Sequence, residues 1–263
     1  MSGIRAGLGL ACALALAGCG SSGGDAAGGA NREAEAPTTP SGPPVTPDRV
    51  NGATITGRVA FTGTAPARKI IDMSANPPCQ RANAGAPAKT EEVVVNPNGT
   101  LKNAFVWVKS GLPRENWAVP GAPASLDQRG CVYAPHVLGV MAGQTVEVLN
   151  SDPTNHDVHA QAEMNQDWNR SQPVGSGALT MSFPRQEIMV PFKCNVHPWM
   201  RAYVGVVSHP FYAVTGDDGT FTITGLPPGT YTIESWHEAY GVHDQQVTVA
   251  PRESKTVDFT YKG

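Results

Sequence analysis

"GDDGTFTITGLPPGTYTIESW", Gly216–Trp236, reads as a turn, a strand, a Pro-Pro-Gly turn and a second strand. Gly, Asp and Pro at those points supply turn geometry, and the runs between them carry the β-branched and aromatic residues that suit a pleated sheet. Working outward, "HDQQVTVAPRESKTVDFTY", His243–Tyr261, adds two more strands. Far upstream, "ATITGRVAFTG", Ala53–Gly63, alternates as a strand should. So does "GTLKNAFVWVKSGL", Gly99–Leu112, where Phe105, Trp107 and Leu101 are expected on one side.

The whole chain of 263 residues supports this reading. Charged residues are only 16%, Gly (29) and Pro (23) are plentiful, and no long stretch carries a helical period. The expectation is an all-β protein with many turns. Net charge is −3 and no basic cluster is present, so nucleic acid is not expected as a partner.

The C-terminal stretch resembles the carboxypeptidase-regulatory or transthyretin-like β-sandwich. The resemblance rests on Asp218-Gly219, Phe221-Thr222-Ile223 and the run Leu226-Pro227-Pro228-Gly229-Thr230-Tyr231. That family opens with a G-x-V…G…P strand, which matches Gly57, Val59, Gly63 and Pro66. The resemblance implies one discontinuous sandwich from residues 53–112 plus 210–262, with a second domain at 125–208 inserted in it or joined to it. Insertion at a surface loop is a tolerated event.

The insert holds the chemistry. "CNVHPWM", Cys194–Met200, places a thiol, an imidazole and a thioether in a loop between two β-like runs. A thiolate, two imidazoles and a weak thioether make the trigonal set preferred by electron-transfer copper. One short loop cannot surround an ion, so a further ligand must come from elsewhere. "NHDVHA" supplies His156 and His159 at the end of another strand.

These residues resemble a cupredoxin, of the amicyanin and plastocyanin type. The amicyanin-type loop C-x-x-H-P-F-M-R-G is matched by Cys194-Asn195-Val196-His197-Pro198-Trp199-Met200-Arg201-Ala202. The motif H-N-V-H is matched by His156-Asp157-Val158-His159, and G-x-x-V-x-x-x-N by Gly143, Val146 and Asn150. The resemblance implies a Greek-key cupredoxin sandwich holding one type 1 copper ion. It makes His156 the first imidazole ligand, Cys194 the thiolate, His197 the second imidazole and Met200 the axial sulfur. It puts Asp157, Asn150, Pro198 and Trp199 around the ligands and leaves His159 as an extra ligand candidate. It also implies an exposed His197 edge as the electron port. Asp157 departs from the family's Asn: its backbone N–H can still reach the Cys sulfur, while its charge should favour Cu(II). His136, His209, His237 and His243 are expected to be structural.

The first twenty residues, "MSGIRAGLGLACALALAGCG", carry one early cation, an apolar core and small residues. That pattern is a secretory signal over 1–18. Leu16-Ala17-Gly18-Cys19 resembles a bacterial lipobox, which implies lipidation of Cys19 and a membrane anchor. Gly20 points to an outer-membrane lipoprotein of the cell envelope, facing the periplasm or the cell surface. Residues 19–50 read as the lipidated Cys and a disordered linker of r.m.s. span roughly 30 Å. Cys79 and Cys131 then remain as a disulfide pair suited to an oxidising compartment, leaving Cys194 with the metal.

Two functions follow. One is a single-electron carrier between redox partner proteins of the envelope. The other is a non-redox binding module in which copper is structural, stored or delivered. No Ser-His-Asp or paired-carboxylate signature speaks for an enzyme.

Overall fold

The structure is a computed structural model and describes residues 42–263. The signal, Cys19 and most of the linker lie outside the described residues. The protein is all-β. Its strands are β1 (Ala53–Thr62), β2 (Phe105–Ser110), β3 (Ala124–Gln128), β4 (Tyr133–Ala134), β5 (Val137–Met141), β6 (Thr145–Asn150), β7 (His156–Ala160), β8 (Trp168–Gln172) and β9 (Leu179–Ser182). There follow β10 (Glu187–Cys194), β11 (Arg201–Val207), β12 (Tyr212–Val214), β13 (Thr220–Leu226), β14 (Gly229–His237), β15 (Gly241–Val249), β16 (Ser254–Thr256) and β17 (Phe259–Lys262). A single short helix, α1 (Pro77–Ala82), is present among the described residues. None of the described helices is long and apolar enough to cross a membrane.

Four sheets stack face to face. In the outermost, β1 pairs with β13 on one side and with β16 and β17 on the other. The next runs β12-β2-β14-β15, the third β5-β11-β10-β7-β8 and the last β4-β3-β6-β9. Strands from 53–112 therefore hydrogen-bond directly to strands beyond 212: Ile55 opposite Ile223, and Trp107 opposite Glu234.

Three apolar layers lie between the sheets. Ile55, Val59, Val106, Val108, Tyr231 and Ile233 fill the first. Val158, Phe192, Val204, Val148 and Leu126 belong to the last. The middle layer joins the two sandwiches and holds Phe105, Trp107, Val137 and Val207. The stretch expected to alternate is instead an unbroken buried run, FVWV, in β2, and this layering explains it. Val106 and Val108 face one layer and Phe105 and Trp107 the other, as expected for a strand covered on both sides. Burying Phe105 completely is worth about 1.5–3 kcal/mol. Glycines on the facing strands make room for it. A Cβ on Gly205 would lie 2.7 Å from the Phe105 ring, and one on Gly139 2.5 Å from that of Tyr212.

Two expectations need correction here. Leu101 does not share a side with Phe105 and Trp107; it lies in the first layer. It precedes β2 and reaches the sheet through a backbone bond to Val59, so strand alternation does not govern its side chain. The connection from β1 to β2 also does not stay with the first sandwich. Met73 and Cys79 sit in the last layer's core, with Ile71 and Ala88 packed against it. The segment begins α1 with Asn76 as N-cap and prolines in its first turn, a favourable helix start. A disulfide between Cys79 and Cys131 (S–S 2.07 Å) fastens it to the second sandwich.

Candidate metal centre

β7 starts at His156, β10 ends at Cys194, and the loop into β11 carries His197 and Met200. Antiparallel pairing sets Cys194 opposite Val158, which brings the start of β7 beside the loop. His156 Nδ1 lies 2.9 Å from His197 Nδ1. Cys194 Sγ lies 3.7 Å from the first and 3.6 Å from the second. Met200 is buried in the same core as Cys194. The loop is tightened by the Met200 N–H donating to the His197 carbonyl (3.0 Å) and the Cys194 N–H to the Met200 carbonyl (3.4 Å).

The Asp157 backbone N–H donates to Cys194 Sγ at 3.4 Å. Its carboxylate turns away and accepts from the Asn195 amide at 2.9 Å. The feared charge therefore faces a neighbour at the surface and not the sulfur. Burial alone would raise the Cys194 thiol's pKa, but the His156 imidazole and backbone N–H groups outweigh it and hold the thiol below its ordinary value.

Each histidine is held at its far nitrogen. His156 Nε2 lies 3.0 Å from Asp152 Oδ2. Asp152 also accepts from the N–H groups of Gly130 and Cys131, so three donors meet the buried carboxylate. Asn150 shapes this turn: its amide donates to the carbonyls of Thr154 and Gln172, and its oxygen accepts from the Asp152 N–H. Burial opposes protonation of His156, but Asp152 and Cys194 overcome it and raise its pKa. His197 behaves oppositely. Burial, with His156 beside it, lowers its pKa to about 4.

His197 Nε2 is covered. Asn76 Nδ2 lies 2.7 Å away and Cys79 Sγ 3.5 Å away. Only 1% of the residue is exposed. The expected open His197 edge is therefore wrong for this chain: α1 and its disulfide sit over it. His159 is also not at the site. On a strand, neighbours alternate faces, so His159 points away from His156 and pairs with Asp167 at 3.0 Å. Pro198 is exposed. Trp199 donates its indole N–H to the Cys131 carbonyl at 2.9 Å, with its ring 5.2 Å from that of His197.

Sequence reasoning missed Asn76 and Asp152. Asp152 had a signal, standing four residues before His156; Asn76 had only its N-cap and Pro-Pro context. The structural histidines also have partners. His209 donates to the Val108 carbonyl, His237 stacks on Tyr240, and His243 stacks on Tyr261. His136 pairs with Glu238 across the sandwiches.

The three inward atoms fit a copper ion. A triangle with sides of 2.9, 3.6 and 3.7 Å has its centre roughly 2 Å from every corner, the length of an imidazole–metal bond. Thiolate plus imidazole is a soft donor set that suits copper.

Comparisons with known proteins give partial matches. The carboxypeptidase regulatory-like domain matches residues 198–262. No curated protein matches the chain. An oxidised amicyanin variant is similar at 21% identity and a TM-score of 0.29, covering 38% of this chain and 97% of that one. A purple cupredoxin from Nitrosopumilus maritimus is similar at 22% and 0.27, covering 32% and 98%. A copper-containing nitrite reductase from Thermus scotoductus SA-01 is similar at 20% and 0.30, over 37% of this chain and only 25% of that one.

Proposed function

We propose that this chain is an envelope-anchored type 1 copper protein that carries single electrons between redox partner proteins. The observation that carries the reading is the buried triangle of His156 Nδ1, His197 Nδ1 and Cys194 Sγ, with Met200 in the same core. Copper, when bound, supplies a one-electron couple with no bond made to a substrate. His156, Cys194 and His197 would hold it, with the Met200 thioether as a weaker fourth donor. The chain's part is to hold these donors still. Asp152 fixes the ring of His156, the Asp157 N–H steadies the sulfur, and three strands with a disulfide limit movement. A rigid site needs little reorganisation when its charge changes.

The signal-like stretch 1–18 and the lipobox-like run Leu16–Cys19 support placement in a bacterial envelope. A second reading draws on the cover over His197: the ion is stored or structural and exchanges electrons slowly. Metal analysis with a visible spectrum tests the first reading, since a thiolate–copper(II) bond gives an intense band and loosely held copper(I) gives none.

A further inference from the structure

With the His197 edge shut, the neighbouring Trp199 ring gains importance. The Trp199 ring lies 5.2 Å from the ring of His197, and the residue also lines a cleft of about 450 Å³. That volume suits a small molecule. The cleft lies where the two sandwiches meet: Trp199, Arg201 and Tyr203 come from the second, Glu238 from the turn after β14, and Lys89 from the segment that carries α1.

The polar groups in this cleft are unusual for a mere seam. His136 is largely buried, and its Nε2 pairs with Glu238 Oε1. Burial and the nearby Glu238 carboxylate raise the pKa of the Tyr203 hydroxyl, which lines the same cleft. A carboxylate has about four acceptor positions, so Glu238 can take a further donor from the cleft. A basic pair therefore faces the same small space as an aromatic ring that touches the candidate metal centre.

The geometry points to a binding site for a small hydroxyarene of the hydroquinone or phenol class in this cleft, its hydroxyl donating to Glu238 and its ring against Trp199. The class follows from the lining. Aromatic walls accept a flat ring. The carboxylate–imidazole pair accepts a hydroxyl proton, as a molecule that gives up an electron and a proton together requires. A purely apolar ligand would leave the remaining acceptor positions of Glu238 unused, and a simple anion would meet the Glu91, Glu92 and Glu238 carboxylates, which outnumber Lys89 and Arg201. The use of the bound molecule as an electron donor rests on the electron-carrier reading; its binding does not.

The test is anaerobic calorimetric titration of the metal-free protein with hydroquinone, with 1,4-dimethoxybenzene and benzoate as comparisons. Saturable binding of one hydroquinone is expected, with dimethoxybenzene weaker by about tenfold because it cannot donate to the carboxylate. Glu238→Gln should weaken hydroquinone by about the same factor and leave dimethoxybenzene unchanged. Trp199→Leu should weaken both, which keeps the test valid if the Glu238 variant folds poorly. Absence of saturation, equal binding of the two arenes, or tighter binding of benzoate would overturn the site. A visible spectrum of copper-loaded protein is recorded separately. Binding without a copper band leaves the cleft and removes its redox use; a band without binding removes the cleft alone.

Discussion

Asn76 Nδ2 lies 2.7 Å from His197 Nε2, while Asn76 Oδ1 accepts the Cys79 N–H at 3.2 Å. An imidazole that offers Nδ1 to a metal keeps its proton on Nε2. That proton and the Asn76 amide are both donors, so the arrangement suits the metal-free protein. At His156 no such conflict exists, because Asp152 is an acceptor. Loading the site therefore requires the Asn76 amide to turn over and release its cap on α1.

Asn76→Asp removes the conflict, since one carboxylate oxygen can cap Cys79 and the other accept from His197. Copper affinity is expected to rise by about tenfold, within the range of effects of groups behind metal-ligating histidines. The reduction potential should fall, because the added charge favours Cu(II). Competition titration and voltammetry measure the two; unchanged affinity would show that Asn76 is indifferent to the ligand's proton.

Cys194→Ser should abolish intense visible absorption. Met200→Leu should keep the colour and raise the potential, because a weak thioether donor is lost and the thiolate and two imidazoles are kept. Equal loss of copper in both variants would contradict this division of roles.

Removing the disulfide should both loosen and uncover the site. The bridge closes a loop of 52 residues, and Cys79→Ser with Cys131→Ala should cost about 2–4 kcal/mol in urea unfolding. With the cover released, electron exchange with a small outer-sphere reagent should speed up. An unchanged exchange rate in a folded variant would show that α1 does not block His197.

Acid should begin to destabilise the fold above the pH range in which carboxylates titrate. Burial lowers the pKa of His209 and His237 to about 4 each. Both accept a backbone N–H at Nδ1, from Phe211 and Ala239, so a proton there meets a donor. The unfolded chain, with histidine near 6.5, binds more protons in this window. Stability is thus complete above pH 6.5 and is lost as pH falls towards about 4, by roughly 3 kcal/mol per histidine. The urea midpoint at several pH values checks this; a midpoint that rises on acidification would contradict it.

The all-β class was legible from strand alternation and turn residues, and Cys194 with His197 from one tight loop, whereas His156 was legible only through the resemblance of His156–His159 to a cupredoxin motif. Strand alternation sets His156 and His159 on opposite faces, and a tight loop brings Cys194 and His197 together. What was not legible depends on long-range packing. Asn76 and His197 are 121 residues apart, and His136 and Glu238 are 102 apart. The segment around α1 has no periodicity to say which core it joins. Its disulfide partners could be paired by elimination, but their position over His197 could not be read. The unbroken apolar run FVWV in β2 did carry the sign of a strand covered on both faces, and with it the stacking of the sandwiches.

The central claim is a type 1 copper site made by His156, Cys194 and His197. The direct measurement is copper stoichiometry with a visible spectrum on oxidised protein. One copper ion per chain and an intense thiolate-to-copper band, lost on Cys194→Ser, is the expected result. A colourless protein at full copper loading under oxidising conditions would contradict the account.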